Sequence, residues 1–248
     1  MTTTSAASSE NRTFGNAEAL AHAAAEWLSA LARASDRDFA ICLSGGSTPQ
    51  QLYERLAEPP FVSRFPWRRS HWFWGDERFV PHDHRDSNYR MAREALLSRV
   101  PVPGDNIHAI PTEGLSPEGA AAVYEMTLKR FYGADVLDPA RPLFDVMLLG
   151  IGEDGHTASL FPGHPALQET RRWVVAVIGA KSEARITLTY PALDSSREAA
   201  FLAAGAGKRD AVARARAGDP STPAAMIRPV GRLYWLTDHA AAPDGANR

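Results

Sequence analysis

Four short apolar runs, each ending at a glycine, constrain this chain more than any other feature. DFAICLS (38–44) stops at Gly45-Gly46, HWFWG (71–75) ends at Gly75, LFDVMLLG (143–150) at Gly150 and EAAFLAAG (198–205) at Gly205. Runs of this length without polar alternation read as strands buried on both faces. Such strands need helices above and below them, and the sequence supplies these. Asn16 caps a helix to about Ala34, with Leu20, Ala24, Trp27, Leu28 and Leu31 on one stripe. Pro49 opens a second helix to about Glu58, and a third runs from about Ser87 to Arg99. Ser116-Pro117-Glu118 starts a fourth ending near Gly133, and a fifth spans about Lys208 to Ala217, closed by Gly218. WVVAVI (173–178), RITLT (185–189) and LYWLT (233–237) add strands. The alternation predicts an α/β fold with an open, mostly parallel sheet covered by helices on both faces. No internal repeat, low-complexity linker or charge block divides it. One domain over 14–240 is expected, between a loose N-terminal tail (1–13) and a loose C-terminal tail (241–248).

With 248 residues the chain buries a core without staples. Its single cysteine, Cys42, excludes an intramolecular disulfide and lies inside an apolar run, as a small core residue does. A formal charge of −2 gives no reason to expect nucleic acid or an anionic membrane as partner. No apolar run reaches the length of a membrane span, and MTTTSAASSENRTF lacks the order of a signal peptide. The expected location is the cytoplasm, and the expected assembly a monomer or small homo-oligomer.

GIGEDGH (150–156) satisfies G-x-G-x-x-G, the spacing of a dinucleotide loop, but the context is wrong for one. Glu153 and Asp154 would oppose a pyrophosphate, and Pro162-Gly163 cut short the helix that the motif requires. The following strand leads to Lys181 rather than to an acid for a ribose hydroxyl. Acid–base chemistry fits better. The loop leaves the carboxyl end of a buried strand, where open α/β sheets bind ligands. Histidine titrates near neutral pH, so His156 can move a proton, with Asp154 beside it to orient the ring.

Two further strand ends carry candidate anion sites. LSGGSTP (43–49) offers the backbone of Gly45 and Gly46, the hydroxyls of Ser47 and Thr48, and a helix N-terminus. Read without a ligand, it is an ordinary turn with Thr48 as N-cap. AAGAGKRD (203–210) puts Lys208 and Arg209 in a first helical turn, where cations oppose the helix dipole unless an anion is held there. Asp76, Glu77 and Arg78 follow the second strand directly, and Arg185 at the start of RITLT is a candidate anion clamp. The run HDHRD (82–86) has no recognised metal-ligand spacing and reads as a solvated loop, so no metal is expected.

LSGGSTP, WGDERFVP with DSNYR, LLGIGEDGHTASLFPG, RITLT and GAGK together resemble the 6-phosphogluconolactonase family, in family order across residues 43–208. DGHTASLFPG is the specific segment. The resemblance implies a Rossmann-like sheet and hydrolysis of 6-phosphogluconolactone to 6-phosphogluconate in the oxidative pentose phosphate pathway, with no cofactor. It implies that His156, with Asp154, activates the attacking water and that Asp76 and Arg78 line the sugar end, Arg78 being counted with the catalytic set. Gly45, Gly46, Ser47, Thr48, Arg185 and Lys208 would surround the phosphate. Asp194 departs from the family's usual asparagine and is assigned no role. Two alternatives stand beside this reading. A glucosamine-6-phosphate deaminase would need a glutamate where this chain has Phe161, and a non-catalytic sugar-phosphate sensor would not need His156.

Overall fold

The computed structural model describes residues 9–243. Its strands are β1 (Ser9–Phe14), β2 (Phe39–Leu43), β3 (Ser70–Trp74), β4 (Asp76–Arg78), β5 (Phe144–Leu149), β6 (Val174–Val177), β7 (Arg185–Leu188), β8 (Ser196–Ala203) and β9 (Arg232–Asp238). The helices are α1 (Ala17–Ala34), α2 (Ser47–Leu56), α3 (Phe61–Arg64), α4 (Asn88–Ala92), α5 (Pro117–Tyr132), α6 (Tyr190–Asp194) and α7 (Arg209–Arg216). Six strands form one sheet in the order β1-β9-β8-β5-β2-β3, every neighbouring pair parallel. The expected mostly parallel sheet is therefore present.

Alternation along β3 shows how both faces are covered. Phe73 and His71 pack on Phe131 of α5. Trp72, pointing the other way, stacks on Trp67 and meets Phe65. The four glycine-ended runs supply the buried centre: every residue of β2 and β5 is buried. Caps fall where the sequence puts them. Asn16 Oδ1 accepts the Ala19 N–H at 2.9 Å, and Ser116 Oγ accepts the Gly119 N–H at 3.1 Å.

Several expectations change. WVVAVI and RITLT do not enter the main sheet. They form β6 and β7 of a separate antiparallel sheet, order β4-β7-β6, packed on α5. Residues 9–13 are not a loose tail, because β1 pairs in parallel with β9 from Ser9↔Leu233 to Phe14↔Asp238. Polar SENRTF is tolerated there because an edge strand keeps one side in water. Ala241 and Ala242 of the expected C-terminal tail are buried. The rest of both tails, 1–8 and 244–248, lies outside the described residues. Helix α2 begins at Ser47 with Gly46 as its N-cap, so Thr48 is inside the first turn and is not the cap. Lys208 ends a short 3-10 turn (Ala206–Lys208) before α7. The helix expected to Arg99 is α4 followed by a π turn over 93–97, with the Ser98 N–H bonded to Arg93 O at 3.0 Å.

Asp194 has a structural task. Its carboxylate accepts the Arg228 N–H at 2.7 Å, and burial pushes its pKa from 3.8 up to about 6, against that bond and the Arg228 charge. A raised carboxyl favours the protonated folded state, so this group costs stability as pH rises from about 4 to about 6 and throughout the range above. Asp194→Asn keeps the acceptor and removes the charge. It should raise unfolding free energy at pH 8 by about 1–3 kcal/mol, with no gain below pH ~3.8. Urea melts at the two pH values measure both.

Candidate active site

The main sheet reverses its winding at β2. From there the chain crosses to β3 on one side and later to β5 on the other. Ligands of open α/β sheets bind outside the carboxyl ends of strands at such a point. The β2–β5 register holds only Ile41↔Val146 and Cys42↔Met147, so the two strands part just before their glycine loops. A cleft of about 220 Å³ opens there. Its walls come from Ser44 to Gly46 after β2, Asp76 and Arg78 of β4, Asn88 of α4, the loop after β5 with Gly150, Gly152, His156 and Ala158, and Lys208 after β8.

Two buried tyrosines fix the strand ends below it. The Tyr53 hydroxyl donates to Ser44 O at 2.8 Å and accepts the Ser44 N–H at 2.9 Å. Tyr124 does the same at Trp74, with both bonds between 2.9 and 3.0 Å. Burial pushes both phenols well above their ordinary pKa, so they remain hydroxyls able to do both. Glu77, 1% exposed, accepts the N–H groups of Arg78, Asn88 and Tyr89 and the Ser87 hydroxyl. Burial raises its carboxyl above the ordinary range even against those donors. Although it stands beside Asp76 and Arg78 in the chain, Glu77 does not line the cleft and is instead the anchor of DSNYR. Asn88, to which the sequence patterns assign no role, is thereby set on the cleft wall, donating to Asp76 O at 2.9 Å. A Cβ on Gly45 would stand 2.0 Å from Asn88 Oδ1, so this contact requires glycine.

The loop after β5 closes on itself. The Gly152 N–H donates to His156 O and the Gly155 N–H to Gly152 O, both at 2.9 Å. His156 Nδ1 lies 2.5 Å from Asp154 Oδ1, which also accepts the His156 N–H at 3.1 Å. An ionised carboxylate only accepts, so the hydrogen sits on Nδ1 and Nε2 keeps its lone pair. Burial acts to raise the Asp154 carboxyl, but the His156 N–H, the His156 ring and Lys181 outweigh it and hold it below the ordinary range. A Cβ on Gly152 would fall 2.1 Å from His156 Nδ1 and 2.6 Å from Asp154 Oδ1. The second glycine of G-x-G-x-x-G thus makes room for the hydrogen-bonded His156–Asp154 pair. Phe161 packs on His156 with ring centroids 4.7 Å apart. Ala158, on the wall, is held at φ 47°, a left-handed conformation that costs an L-residue about 1–2 kcal/mol.

The remaining expected residues divide. Asp76 reaches the wall but is 7% exposed, its Oδ2 accepting Ser159 Oγ–H at 2.6 Å. Arg78 donates to Asp86 O at 2.7 Å, while its buried Nε has no partner among the described residues. Arg185 faces Arg78 across the β4–β7 ladder, and its buried Nε is likewise without a partner. Burial, then the Arg78 charge, lowers its pKa. Two crowded guanidiniums with idle donors suit an anion. Lys208 lines the cleft and makes no ion pair among the described residues. Arg209 instead ties α7 to Ala240 and His239 carbonyls. Asp154 sits behind His156, and Ser47, Thr48 and Arg185 are not on the wall itself. In HDHRD, His82 Nε2 bonds Ile110 O at 2.8 Å and His84 Nδ1 accepts the Asp86 N–H. No group of three metal-ligating side chains gathers among the described residues. Cys42 is fully buried, with its thiol pushed up by burial.

A model of the family described as glucosamine-6-phosphate isomerases/6-phosphogluconolactonase matches residues 15–235. The chain is 46% identical over 210 residues to a 6-phosphogluconolactonase of Nostoc sp., covering 83% of this chain and 84% of that one. Identity to a 6-phosphogluconolactonase of Synechocystis sp. is also 46%, over 204 residues, 81% of this chain and 82% of the relative. The solved 6-phosphogluconolactonase of Trypanosoma brucei superposes with a TM-score of 0.79 at 30% identity, covering 95% of this chain and 98% of its own.

The packing around Gly152 makes a prediction of its own. Gly152→Ala should fold normally but lower kcat about 10²-fold if His156 acts in turnover, because a shift of about 1 Å in an acting group costs that much. Circular dichroism and turnover, measured together, check it. Wild-type turnover would show that His156 is not held against this glycine.

Proposed function

We infer that this chain, which belongs to the glucosamine-6-phosphate isomerase/6-phosphogluconolactonase family, hydrolyses 6-phosphogluconolactone to 6-phosphogluconate with His156 as the base that activates water. The reaction is a step of the oxidative pentose phosphate pathway. The observation that carries the base assignment is the His156–Asp154 pair, at 2.5 Å, beside a cleft at the switch point of a parallel sheet. A cytoplasmic location belongs to the same reading. Among the described residues no helix is long and apolar enough to cross a membrane.

Asp154 holds the Nδ1 hydrogen, so Nε2 takes a proton from water as the oxygen attacks the lactone carbonyl. The C1–O bond of water forms while the carbonyl π pair moves onto oxygen, giving a tetrahedral oxyanion. When the oxyanion collapses, the ring C–O bond breaks. The imidazolium returns its proton to the departing ring oxygen, which becomes the sugar hydroxyl. Imidazole is restored, and water has been added across the ester. Arg78 has an unused, buried N–H at the wall and is the cation assigned to the developing negative charge and the sugar end. Lys208, the Gly45-Gly46 backbone and the first turn of α2 with Ser47 and Thr48 take the phosphate, with Arg185 adding charge from behind Arg78. Phe161, at the sequence position where the resemblance puts a deaminase's relay glutamate, packs on His156 and offers it no acid–base group of the kind that aldose–ketose isomerisation needs.

His156→Ala should lower kcat by roughly 10²–10⁴-fold once spontaneous lactone hydrolysis is subtracted. No acyl-enzyme should be trapped during turnover, because water is the nucleophile. Mass spectrometry of the quenched reaction and the kinetics of the variant decide between this and a protein nucleophile.

The phosphate assignment is tested by comparing 6-phosphogluconolactone with gluconolactone. Losing two charge-assisted contacts, each worth roughly 1.5–3 kcal/mol, should cost the unphosphorylated lactone about 10²–10⁴-fold in kcat/KM. Lys208→Ala should weaken the phosphorylated substrate and barely change the other. Equal loss on both would remove Lys208 from the phosphate site.

A further inference from the structure

The β6–β7 loop carries Lys181, an exposed cation that neither sheet uses in its packing. Its ammonium lies 5.2 Å from the centroid of the Phe161 ring, within cation–π range. That ring is the one packed on the His156 imidazole, 4.7 Å between centroids at 43°. Lys181 makes no ion pair with a carboxylate among the described residues. Its charge nevertheless acts on Asp154, where it adds to the His156 contacts in holding that carboxylate ionised against burial. Phe161, five residues downstream of His156 in the same loop, therefore stands between the imidazole and Lys181, which comes from the β6–β7 loop.

Asp154 alone creates a difficulty for the base. A carboxylate 2.5 Å from Nδ1 orients the ring but also favours the imidazolium, which cannot accept a proton from water. The other charged groups on the cleft are Asp76 and Arg78 of β4 and Lys208 after β8, and Asp76 is bonded to Ser159 and Asn88. We propose that Lys181 is a positioning residue for His156: it clamps the Phe161 ring on the imidazole and offsets the charge of Asp154, so that the base is held in one orientation and in its neutral form. This rests on His156 being the base. It gives the second sheet a part in the reaction, since β6 and β7 carry the loop that brings the cation in.

The test follows the His156 imidazole by NMR titration in the wild type, Lys181→Met and Lys181→Arg, beside the pH profile of kcat/KM for each. Lys181 is exposed, so both variants should fold. Lys181→Met should raise the His156 midpoint by roughly 0.3–1 pH unit, the size of one charge acting through a largely aqueous path. The acid limb of kcat/KM should move to higher pH by the same amount. Lys181→Arg, which keeps charge and stacking, should stay close to wild type. The Lys181→Met shift should shrink in about 0.5 M salt, where exposed charges are screened. An unchanged His156 midpoint in Lys181→Met overturns the proposal. If the midpoint moves and the kinetic limb does not follow, the action of Lys181 on the ring is supported and the assignment of His156 as base is what fails.

Discussion

A buried carboxylate that must find hydrogen-bond donors organises one whole wall of this protein. Glu77 follows β3 almost directly and is 1% exposed, so its charge is costly there unless its oxygens are filled. Three backbone N–H groups and one hydroxyl fill them, all from residues 78–89. Satisfying Glu77 pins the first turn of α4 against β4, which in turn sets Asn88 against Gly45 and leaves Arg78 at the cleft. A buried group that does not line the cleft thus fixes the distance between two segments that do.

The opposite wall depends on space rather than charge. The loop after β5 brings Asp154 and His156 back across the backbone of Gly152, and no side chain fits between them. Parallel strands make this economical. The ends of β8, β5, β2 and β3 lie side by side, so four loops of a few residues each reach one small volume. Tyr53 holds the residue just after β2, and Tyr124 the last residue of β3, at both N–H and C=O, and rigid strand ends make short loops accurate. Positive charge is then concentrated on one side. Arg78 and Arg185 sit together, each with a buried Nε that has no partner among the described residues, and Arg185 is paired with Glu183 at 3.7 Å. Lys208 makes no ion pair among the described residues.

The second sheet shows what apolar patterning leaves open. WVVAVI and RITLT read as strands because they are β-branched and apolar, and strands they are. Their membership of a separate antiparallel sheet depends on β4, a three-residue strand too short and too polar to be recognised in DER. Residues 9–14 escaped recognition for a related reason. Edge strands need no apolar run, so SENRTF looks like the tail it adjoins.

The sequence by itself determined the class of fold, because long buried strands separated by capped helices have few other ways to hide their apolar surface. It also determined the chemistry on offer at each strand end: a histidine beside a carboxylate, glycine turns, and lysine and arginine where a helix dipole disfavours them. Pairings between distant segments were decided only by the tertiary structure. Nothing local in Glu77 distinguishes an anchor from a substrate contact, since that depends on which N–H groups arrive from residues 87–89. Nothing in VIGAK reveals that Lys181 will stand over Phe161, because the distance is closed by β6 and β7 folding onto α5. Periodicity and capping act within a few residues, whereas the environment of a charge is set by whatever the rest of the chain packs against it.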